Sequence, residues 1–241
     1  MSRVYDGPVA PGVTPASGMR IEITEHGPYS VSGDIPLVRA EIVTNEQDEA
    51  VAWRETGRVA TDDAYLLCRC GRSSEKPFCD FSHAAEEFDG TETANRDSYM
   101  ETSVSIESSG LELRDARHLC AEARFCDRAG GLWNLVKECD DPVVRALAEE
   151  EAMLCPSGRY LAVDEVSGEP LEPDLEPSIV LVEDPALGVS GPLWVRGGIC
   201  VIGVDGRPYE VRNRVTLCRC GRSANKPFCD GSHIATGFKE R

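Results

Sequence analysis

Basic residues are scarce in this sequence. Its 241 residues include 25 Lys and Arg against 42 Asp and Glu, which gives a formal net charge of −17. Nucleic acid and anionic membrane surfaces are themselves negatively charged, so a chain this acidic is poorly suited to either. We therefore expect no nucleic-acid partner, and a basic protein surface is the better electrostatic match.

Long apolar runs are also missing. No stretch is long enough for a transmembrane helix, and the N-terminus lacks the charged-then-apolar pattern of a signal peptide. We expect no membrane association and a cytoplasmic location. Residues 1–18 are instead rich in Pro, Gly, Ser and Ala, a composition that predicts a flexible lead-in.

The common signatures of enzymes are absent too. The sequence has no Gly-rich dinucleotide fingerprint after a strand, no nucleophile elbow and no other acid–base constellation. We therefore expect a protein that is not an enzyme. The alternative is an oxidoreductase component that uses bound metal centres as electron relays.

Cysteine, in contrast, is abundant. The chain has eleven cysteines, an odd number clustered at short spacings, which fits metal ligation better than a disulfide framework. Cys139 and Cys200 lie outside the tight clusters, and an inert buried thiol is a sufficient interpretation for each.

One cysteine cluster lies near the C-terminus and holds Cys218, Cys220, Cys229 and His233. An extended backbone would point the first two thiols to one side, and one helical turn would bring Cys229 and His233 onto one face. Asp230 is a natural N-cap for that turn. This set of three thiols and one imidazole suits either a tetrahedral zinc ion or a [2Fe–2S] cluster, and spacing alone leaves both open.

The same arrangement occurs 150 residues earlier, as Cys68, Cys70, Cys79 and His83. The similarity extends to the flanking Gly-Pro-x-x-Val-x-Gly-x-Ile segments, which begin at Gly27 and Gly191. The chain therefore contains two copies of one unit, near its two ends.

Both copies resemble the CDGSH, or NEET, iron–sulfur family, whose pattern is C-x-C-x2-[S/T]-x3-P-x-C-D-G-[S/A/T]-H. The second copy fits at Cys218, Cys220, Ser223, Pro227, Cys229, Asp230, Gly231, Ser232 and His233. The resemblance implies a redox-active [2Fe–2S] cluster in each copy, with the C-x-C pair on one iron and the later Cys and His on the other. It favours this cofactor over zinc.

The first copy departs from the pattern at Phe81, which stands where the family has glycine. A phenylalanine would be strained if this position needs a positive φ. We expect a negative φ instead, because Phe81 would be the first residue of a helical turn capped by Asp80. Its ring would then be free to shield the edge of the cluster.

A third group of cysteines lies between the copies. Cys120 and Cys126, a predicted helix beginning at Pro142, and Cys155-Pro156 resemble a divergent single-cluster ferredoxin-like domain. The resemblance would place Cys120, Cys126 and Cys155 around a further iron–sulfur cluster, with Cys139 as a candidate fourth ligand. The alternative is a small α/β domain whose thiols fill its core.

These observations predict an α+β, mainly β fold. Its parts are a first CDGSH-type unit at 19–92, a small α/β ferredoxin-like domain at 106–186 and a second CDGSH-type unit at 187–241. Because single-motif NEET proteins form homodimers with interlocked strands, the resemblance implies a monomer whose two units form an internal pseudo-dimer.

A histidine ligand is neutral, so it leaves a cluster less negative than four thiolates would, and it titrates near neutral pH. We therefore expect one-electron transfer, pH-sensitive cluster transfer, or both, with a redox or cluster-acceptor protein as partner. A zinc-stapled interaction module remains a further alternative.

Overall fold

The computed structural model describes residues 7–85, 87–108 and 110–240. The strands are β1 (Arg20–Ile23), β2 (Tyr29–Ser32), β3 (Leu37–Thr44), β4 (Ala50–Val59), β5 (Ala64–Leu67), β6 (Val104–Ser108), β7 (Leu111–Asp115), β8 (Tyr160–Asp164), β9 (Pro170–Leu171), β10 (Ser178–Asp184), β11 (Val189–Arg196), β12 (Cys200–Ile202) and β13 (Arg214–Leu217). The helices are α1 (Ser82–Ala85), α2 (Tyr99–Thr102), α3 (Leu132–Leu135), α4 (Pro142–Leu154) and α5 (Ser232–Ala235), and 3-10 turns cover Arg117–Leu119, Phe125–Gly130 and Val136–Glu138.

Two of the three sheets exchange strands between the N-terminal and C-terminal parts of the chain. The first sheet has the order β12-β1-β2-β5, and the second has the order β13-β11-β10-β3-β4. In the first, β12 pairs in parallel with β1; in the second, β3 pairs in parallel with β10. The first sheet thus contains one strand from the second copy, β12, and the second sheet contains two strands from the first copy, β3 and β4, which confirms the predicted internal pseudo-dimer.

The exchanged strands share one apolar core. Alternate side chains of the short strands point inward, as in the buried Ile21 and Val31 of the first copy and Val195 and Leu217 of the second. Neither copy can bury this face alone, since the opposing side chains come from the other copy. The boundaries predicted from the sequence placed β10 at the end of the middle domain, whereas its pairing puts it in the five-stranded sheet.

The middle of the chain forms its own antiparallel sheet, β6-β7-β8-β9, covered by α3 and α4. Helix α4 begins as the sequence predicts: the carboxylate of Asp141 accepts a hydrogen bond of 2.8 Å from the Val143 amide, and Pro142 occupies the first turn. Cys139 lies in the apolar core under this helix, together with Leu113 and Val136.

A buried arginine fastens the middle domain to the second copy. The guanidinium of Arg214, on β13, donates to the carbonyl oxygens of Ala152, Met153, Cys155 and Tyr160 and forms an ion pair with Glu172. Its side chain is 0% exposed. The strand that leads into Cys218 is therefore tied to the segment that carries Cys155.

Part of the predicted lead-in packs on the second copy. The Ala10 amide donates to the carbonyl of Val211, and the Ala16 amide donates to that of Gly198, each at 2.9 Å. Residues 1–6 of this segment lie outside the described residues. None of the helices that the structure describes is both long and apolar enough to cross a bilayer.

One buried carboxyl in the middle domain gives a testable pH dependence. Glu151 on α4 is fully buried, neither of its oxygens receives a hydrogen bond from the described residues, and Arg128 Nε lies 3.5 Å from Oε1. Burial raises the pKa of Glu151 to about 7 from its ordinary value of 4.5, although the Arg128 charge partly opposes this. The folded chain therefore binds more protons than the unfolded chain between those two values.

Stability contributed by Glu151 should consequently fall as pH rises through this window. We expect a loss of about 2 kcal/mol between about pH 5 and pH 8, and Glu151→Gln should remove that slope. Urea unfolding of both proteins across this range measures the difference. The exposed neighbour Glu150 provides the control, Glu150→Gln, and equal slopes in wild type and Glu151→Gln would contradict the prediction.

Candidate metal centres

Backbone hydrogen bonds fold each ligand loop back on the strand before it. In the second copy the Cys218 amide donates to the carbonyl of Pro227 at 2.8 Å, and the Cys229 amide donates to that of Thr216 at 2.9 Å. The hydroxyl of Ser223 closes the loop by donating to the Phe228 carbonyl. The first copy repeats all three bonds, from Cys68 to Pro77, from Cys79 to Leu66 and from Ser73 to Phe78.

The aspartate of each motif braces both ends of its loop. Asp230 accepts from the Ser232 amide with one oxygen, at 3.0 Å, and from the Ala224 amide with the other, at 2.7 Å. These bonds outweigh the effect of burial, so the pKa of Asp230 is lowered and the carboxylate stays charged. The brace fixes the start of α5, the short helix that carries His233.

The four ligands of each copy are arranged in two pairs. Sγ of Cys218 lies 3.7 Å from Sγ of Cys220, and Sγ of Cys229 lies 3.4 Å from Nδ1 of His233. The first copy has the same two distances, between Cys68 and Cys70 and between Cys79 and His83. Two thiolates on one tetrahedral metal with bonds of about 2.3 Å stand about 3.7 Å apart, so each pair can hold one metal.

The described ligands do not form a site for one metal ion with three or more donors. Among the residues that the structure describes, no group of three or more His, Cys, Asp or Glu side chains converges in the way that a single metal ion requires. Two neighbouring metals, each held by one pair, fit the donor set better than one ion held by all four ligands.

In each C-x-C pair, one of the two thiols has a lowered pKa. A hydrogen bond from Cys70 lowers the pKa of Cys68 to about 6, and the same bond raises the pKa of Cys70, which keeps the proton. Cys218 and Cys220 behave alike, with the pKa of Cys218 also lowered to about 6. Because the thiolate is the form that binds metal, one ligand of each pair is available near neutral pH.

The two ligand loops meet back to back. A Cβ built at Gly71 would lie 2.5 Å from the carbonyl oxygen of Cys220, and one at Gly221 would lie 2.4 Å from that of Cys70. Both glycines have a φ of 77°. Only glycine permits this approach, since a side chain at either position would collide with the backbone of the other loop.

Only three of the middle cysteines line a common pocket. Cys120, Cys126 and Cys155 line one pocket, together with Glu122, Arg159 and Tyr160. Burial raises the pKa of the Cys126 thiol to about 12 and also raises that of Cys120. Cys139, the candidate fourth ligand, does not reach the pocket, because it is held in the core and donates to the Leu135 carbonyl.

Comparison with family models agrees with this division of the chain. Residues 26–84 and 190–234 match the model described as an iron-binding zinc finger of CDGSH type. Both segments are therefore similar to the CDGSH family. Residues 106–165 match the model described as a divergent 4Fe-4S mono-cluster. No curated protein and no solved structure matched the chain. The chain is therefore an iron–sulfur protein with three candidate centres, and the middle one matches a four-iron type.

The expectation for Phe81 is wrong. Its φ is 67°, close to the 84° of Gly231, so both positions of the CDGSH motif lie in the left-handed region. The reason is a hydrogen bond that spans Phe81: the Ser82 amide donates to the carboxylate of Asp80. This bond holds the intervening Phe81 backbone outside helical geometry. The Phe81 side chain is 62% exposed, and its ring centroid lies 5.9 Å from that of His83.

The two CDGSH centres differ most in exposure. His233 and Cys229 are buried, at 4% and 2% exposed, and burial together with the Arg219 charge lowers the pKa of His233 to about 4. His83 and Cys79 are only half-buried, and His83 borders an open groove of about 520 Å³. The same motif therefore occupies two environments within one chain.

Sequence reasoning missed the residues that cover the second CDGSH centre. They come from the middle domain, where the Glu122 side chain packs on Gly231 and Arg124 pairs with Asp184. Glu122 and Arg124 have φ values of 56° and 64°. These positions are ordinary loop residues in the sequence, and no pattern there indicates a left-handed backbone or a contact with a residue 60 or more positions away.

Proposed function

We propose that this chain binds one [2Fe–2S] cluster at each CDGSH motif and uses them as a one-electron carrier. The ligands would be Cys68, Cys70, Cys79 and His83 in the first copy and Cys218, Cys220, Cys229 and His233 in the second. The pairing of the donors, at 3.7 and 3.4 Å with no third donor converging among the described residues, is the observation that carries the proposal. It argues against a zinc staple, which needs all four donors around one ion.

Backbone amides at both sites are placed to donate to ligand sulfur atoms, which suits a negatively charged cofactor. The Arg72 amide points to Sγ of Cys70, and the Gly231 amide points to Sγ of Cys229, each at 3.4 Å. Such hydrogen bonds to ligand sulfur, together with solvent exposure, are among the controls on the reduction potential of a cluster. When bound, a [2Fe–2S] cluster would supply a one-electron couple, and the two environments would give the two copies different potentials.

The first CDGSH centre supports a second role, the transfer of a cluster to another protein. Its Cys79 and His83 are half-buried, and His83 lines the open groove, so an acceptor thiol can approach this ligand. Glu25, Glu87 and Asp89 line the same groove. Their charges favour a basic redox or cluster-acceptor protein as the partner. We propose a carrier rather than an enzyme, and a substrate-dependent turnover by the purified chain would favour the enzyme instead.

Anaerobic purification followed by iron, sulfide and zinc analysis and Mössbauer spectroscopy tests the proposal. We expect two irons and two sulfides per CDGSH motif, with spectra of a cluster whose two irons carry different ligands. Cys229→Ser should lose one of the two [2Fe–2S] centres, whereas the matched control Cys200→Ala, at a buried thiol outside the sites, should lose none. Colourless protein, or zinc in place of iron, would refute the proposal.

A further inference from the structure

The first and second sheets differ on the faces that point away from their shared core. In the first sheet, Glu22 of β1 pairs with Ser30 of β2. The matching pair in the second sheet is Val180 of β10 with Trp194 of β11. These two apolar side chains are buried, at 0% and 4% exposed, whereas Glu22 and Ser30 are partly exposed. The second copy therefore has an apolar outer face, and the first copy has a polar one.

The middle domain covers this apolar outer face. Phe125 is 1% exposed and packs in one cluster with Val180 and Trp194. Its ring centroid lies 4.9 Å from that of Trp53, whose indole Nε1 donates to the Leu154 carbonyl at 3.0 Å. Because the polar outer face of the first sheet offers no such partner, the middle domain buries its apolar surface against the second copy.

Residues 121–125, here called the cap loop, extend from this contact to the second CDGSH centre. The Glu122 side chain packs on Gly231 so closely that a Cβ added to the glycine would lie 2.4 Å from Glu122 Cγ. The Gly231 amide in turn points to Sγ of the ligand Cys229, at 3.4 Å. The cap loop therefore lies directly against the part of the motif that joins the ligands Cys229 and His233.

Two polar contacts hold the cap loop in place. Arg124 forms an ion pair with Asp184 at the end of β10, and the side chains are 20% and 4% exposed. Just before the cap loop, the His118 carbonyl accepts a hydrogen bond of 2.9 Å from Asn225 Nδ2, which belongs to the second ligand loop. Lifting the cap loop would leave the buried Asp184 carboxylate without this partner, so the closed position is favoured.

The matching positions of the first copy have no such cover in the part of the chain that the structure describes. Phe81 stands where the second copy has Gly231, and its side chain is 62% exposed. The cysteine and histidine on either side of it are half-buried, whereas Cys229 and His233 are 2% and 4% exposed. Both ligand loops have the same backbone hydrogen bonds, so this difference follows from what packs on them.

Covering the second CDGSH centre does not require a cluster in the middle domain. The middle pocket has three cysteines, and the candidate fourth thiol, Cys139, is held in the core. Within the described ranges, no three donors converge as a metal ion requires. The lining thus disagrees with the four-iron type that residues 106–165 match, whereas the packing of the domain on the second copy is extensive.

We propose that the cap loop shields the second CDGSH centre from other proteins, so that a cluster passes to an acceptor protein only from the first centre. This inference rests on the proposed function. In the exchange, four acceptor thiolates replace the three cysteines and the histidine of the first motif, one iron–ligand bond forming as each one breaks. Three of the protons that the acceptor thiols release return to the freed cysteines and the fourth goes to solvent, and nothing is oxidised or reduced.

Full-length chains that keep one CDGSH centre test this division. Cys79→Ser keeps only the second centre and Cys229→Ser keeps only the first, which iron analysis confirms. Each chain is mixed anaerobically with an iron-free plant-type ferredoxin, whose four cysteines accept the cluster, and visible circular dichroism follows the transfer. We expect Cys229→Ser to deliver its cluster at least about tenfold faster than Cys79→Ser, because only the second centre must first be uncovered.

Loosening the cap loop should remove this protection. In the Cys79→Ser background, Arg124→Ala eliminates the ion pair with Asp184 and should speed the transfer by about tenfold, which corresponds to about 1.4 kcal/mol of lost docking free energy. Arg145→Ala is the matched control. Arg145 is similarly exposed and also pairs with a carboxylate, that of Asp164, but this pair lies within the middle domain, so the rate should stay unchanged.

Hydrogen exchange of the cluster-loaded wild-type chain gives a readout that needs no acceptor. We expect the amides of residues 229–233 to exchange more slowly than those of residues 79–83, although both segments have the same backbone bonds. Arg124→Ala and Glu122→Gly should each reduce the difference. Glu122→Gly keeps the test decisive if Arg124→Ala does not fold, because glycine adopts the φ of 56° at this position without strain.

The outcomes separate the two proposals. Chains without iron at the CDGSH motifs would overturn the proposed function. Loaded chains in which the second centre delivers its cluster as fast as the first, or in which neither centre delivers one, would overturn only the inference about the cap loop. So would transfer rates and hydrogen exchange that are unchanged in both Arg124→Ala and Glu122→Gly.

Discussion

Replacing Arg214 by leucine is expected to lower the free energy of unfolding by roughly 3–5 kcal/mol, the usual cost of breaking a buried ion pair by removing one partner. The substitution would leave the carboxylate of Glu172 without its main partner and four backbone carbonyls without their donor. Each buried polar group left unsatisfied adds to the cost. One of these carbonyls belongs to Cys155, so the substitution should disturb the middle pocket before it disturbs the CDGSH sites.

Urea unfolding under anaerobic conditions, followed by far-ultraviolet circular dichroism, measures the effect. The control is Arg207→Leu, because this arginine also pairs with a carboxylate, that of Asp205, but has a side chain that is 77% exposed. An exposed pair of this kind contributes less than about 1 kcal/mol. A loss at Arg214 no larger than at Arg207 would show that the arginine does not fasten the middle domain.

The second large effect is expected at the histidines. His233→Cys should lower the reduction potential of its centre by on the order of 100 mV or more, because a neutral ligand becomes an anionic thiolate. The shift should be smaller for His83→Cys. His233 is 4% exposed whereas His83 is half-buried, and an added charge is screened less in a buried environment of low dielectric.

Redox titrations of the wild type and the two variants, followed by visible absorption, give the two shifts, and each variant serves as the control for the other. Iron analysis shows that the cluster has been retained. Equal potentials for wild type and His233→Cys would mean that the histidine is not a ligand, and equal shifts at the two sites would mean that their different burial has no electrostatic effect.

Much of this architecture follows from local sequence. The two-residue and four-residue spacings within the motif predict which ligands pair, because strand and helix periodicities act over such short distances. The start of α4 at Pro142 is encoded by a cap and a proline, which also act locally. The repeat of the motif, together with the family resemblance, predicted that the two copies would pack on each other.

The parts that the sequence could not show depend on contacts between distant segments. The parallel pairing of β3 with β10 and of β1 with β12 links residues more than 100 positions apart, and short strands carry no information about their partners. The positive φ of Phe81 results from the hydrogen bonds of its neighbour Asp80, not from any preference of phenylalanine. The contact of Glu122 with Gly231 likewise joins residues more than 100 positions apart, and it depends on how the middle domain packs on the second copy.

The exchanged strands have a consequence for how this protein can diversify. In a homodimer related by a two-fold axis, one substitution appears in both subunits, so the two halves stay equivalent. Here a single polypeptide contains both halves, so a substitution in one half leaves the sequence of the other half unchanged. Phenylalanine at 81 and glycine at 231 are such an unmatched pair, so the surroundings of one centre can change without changing those of the other.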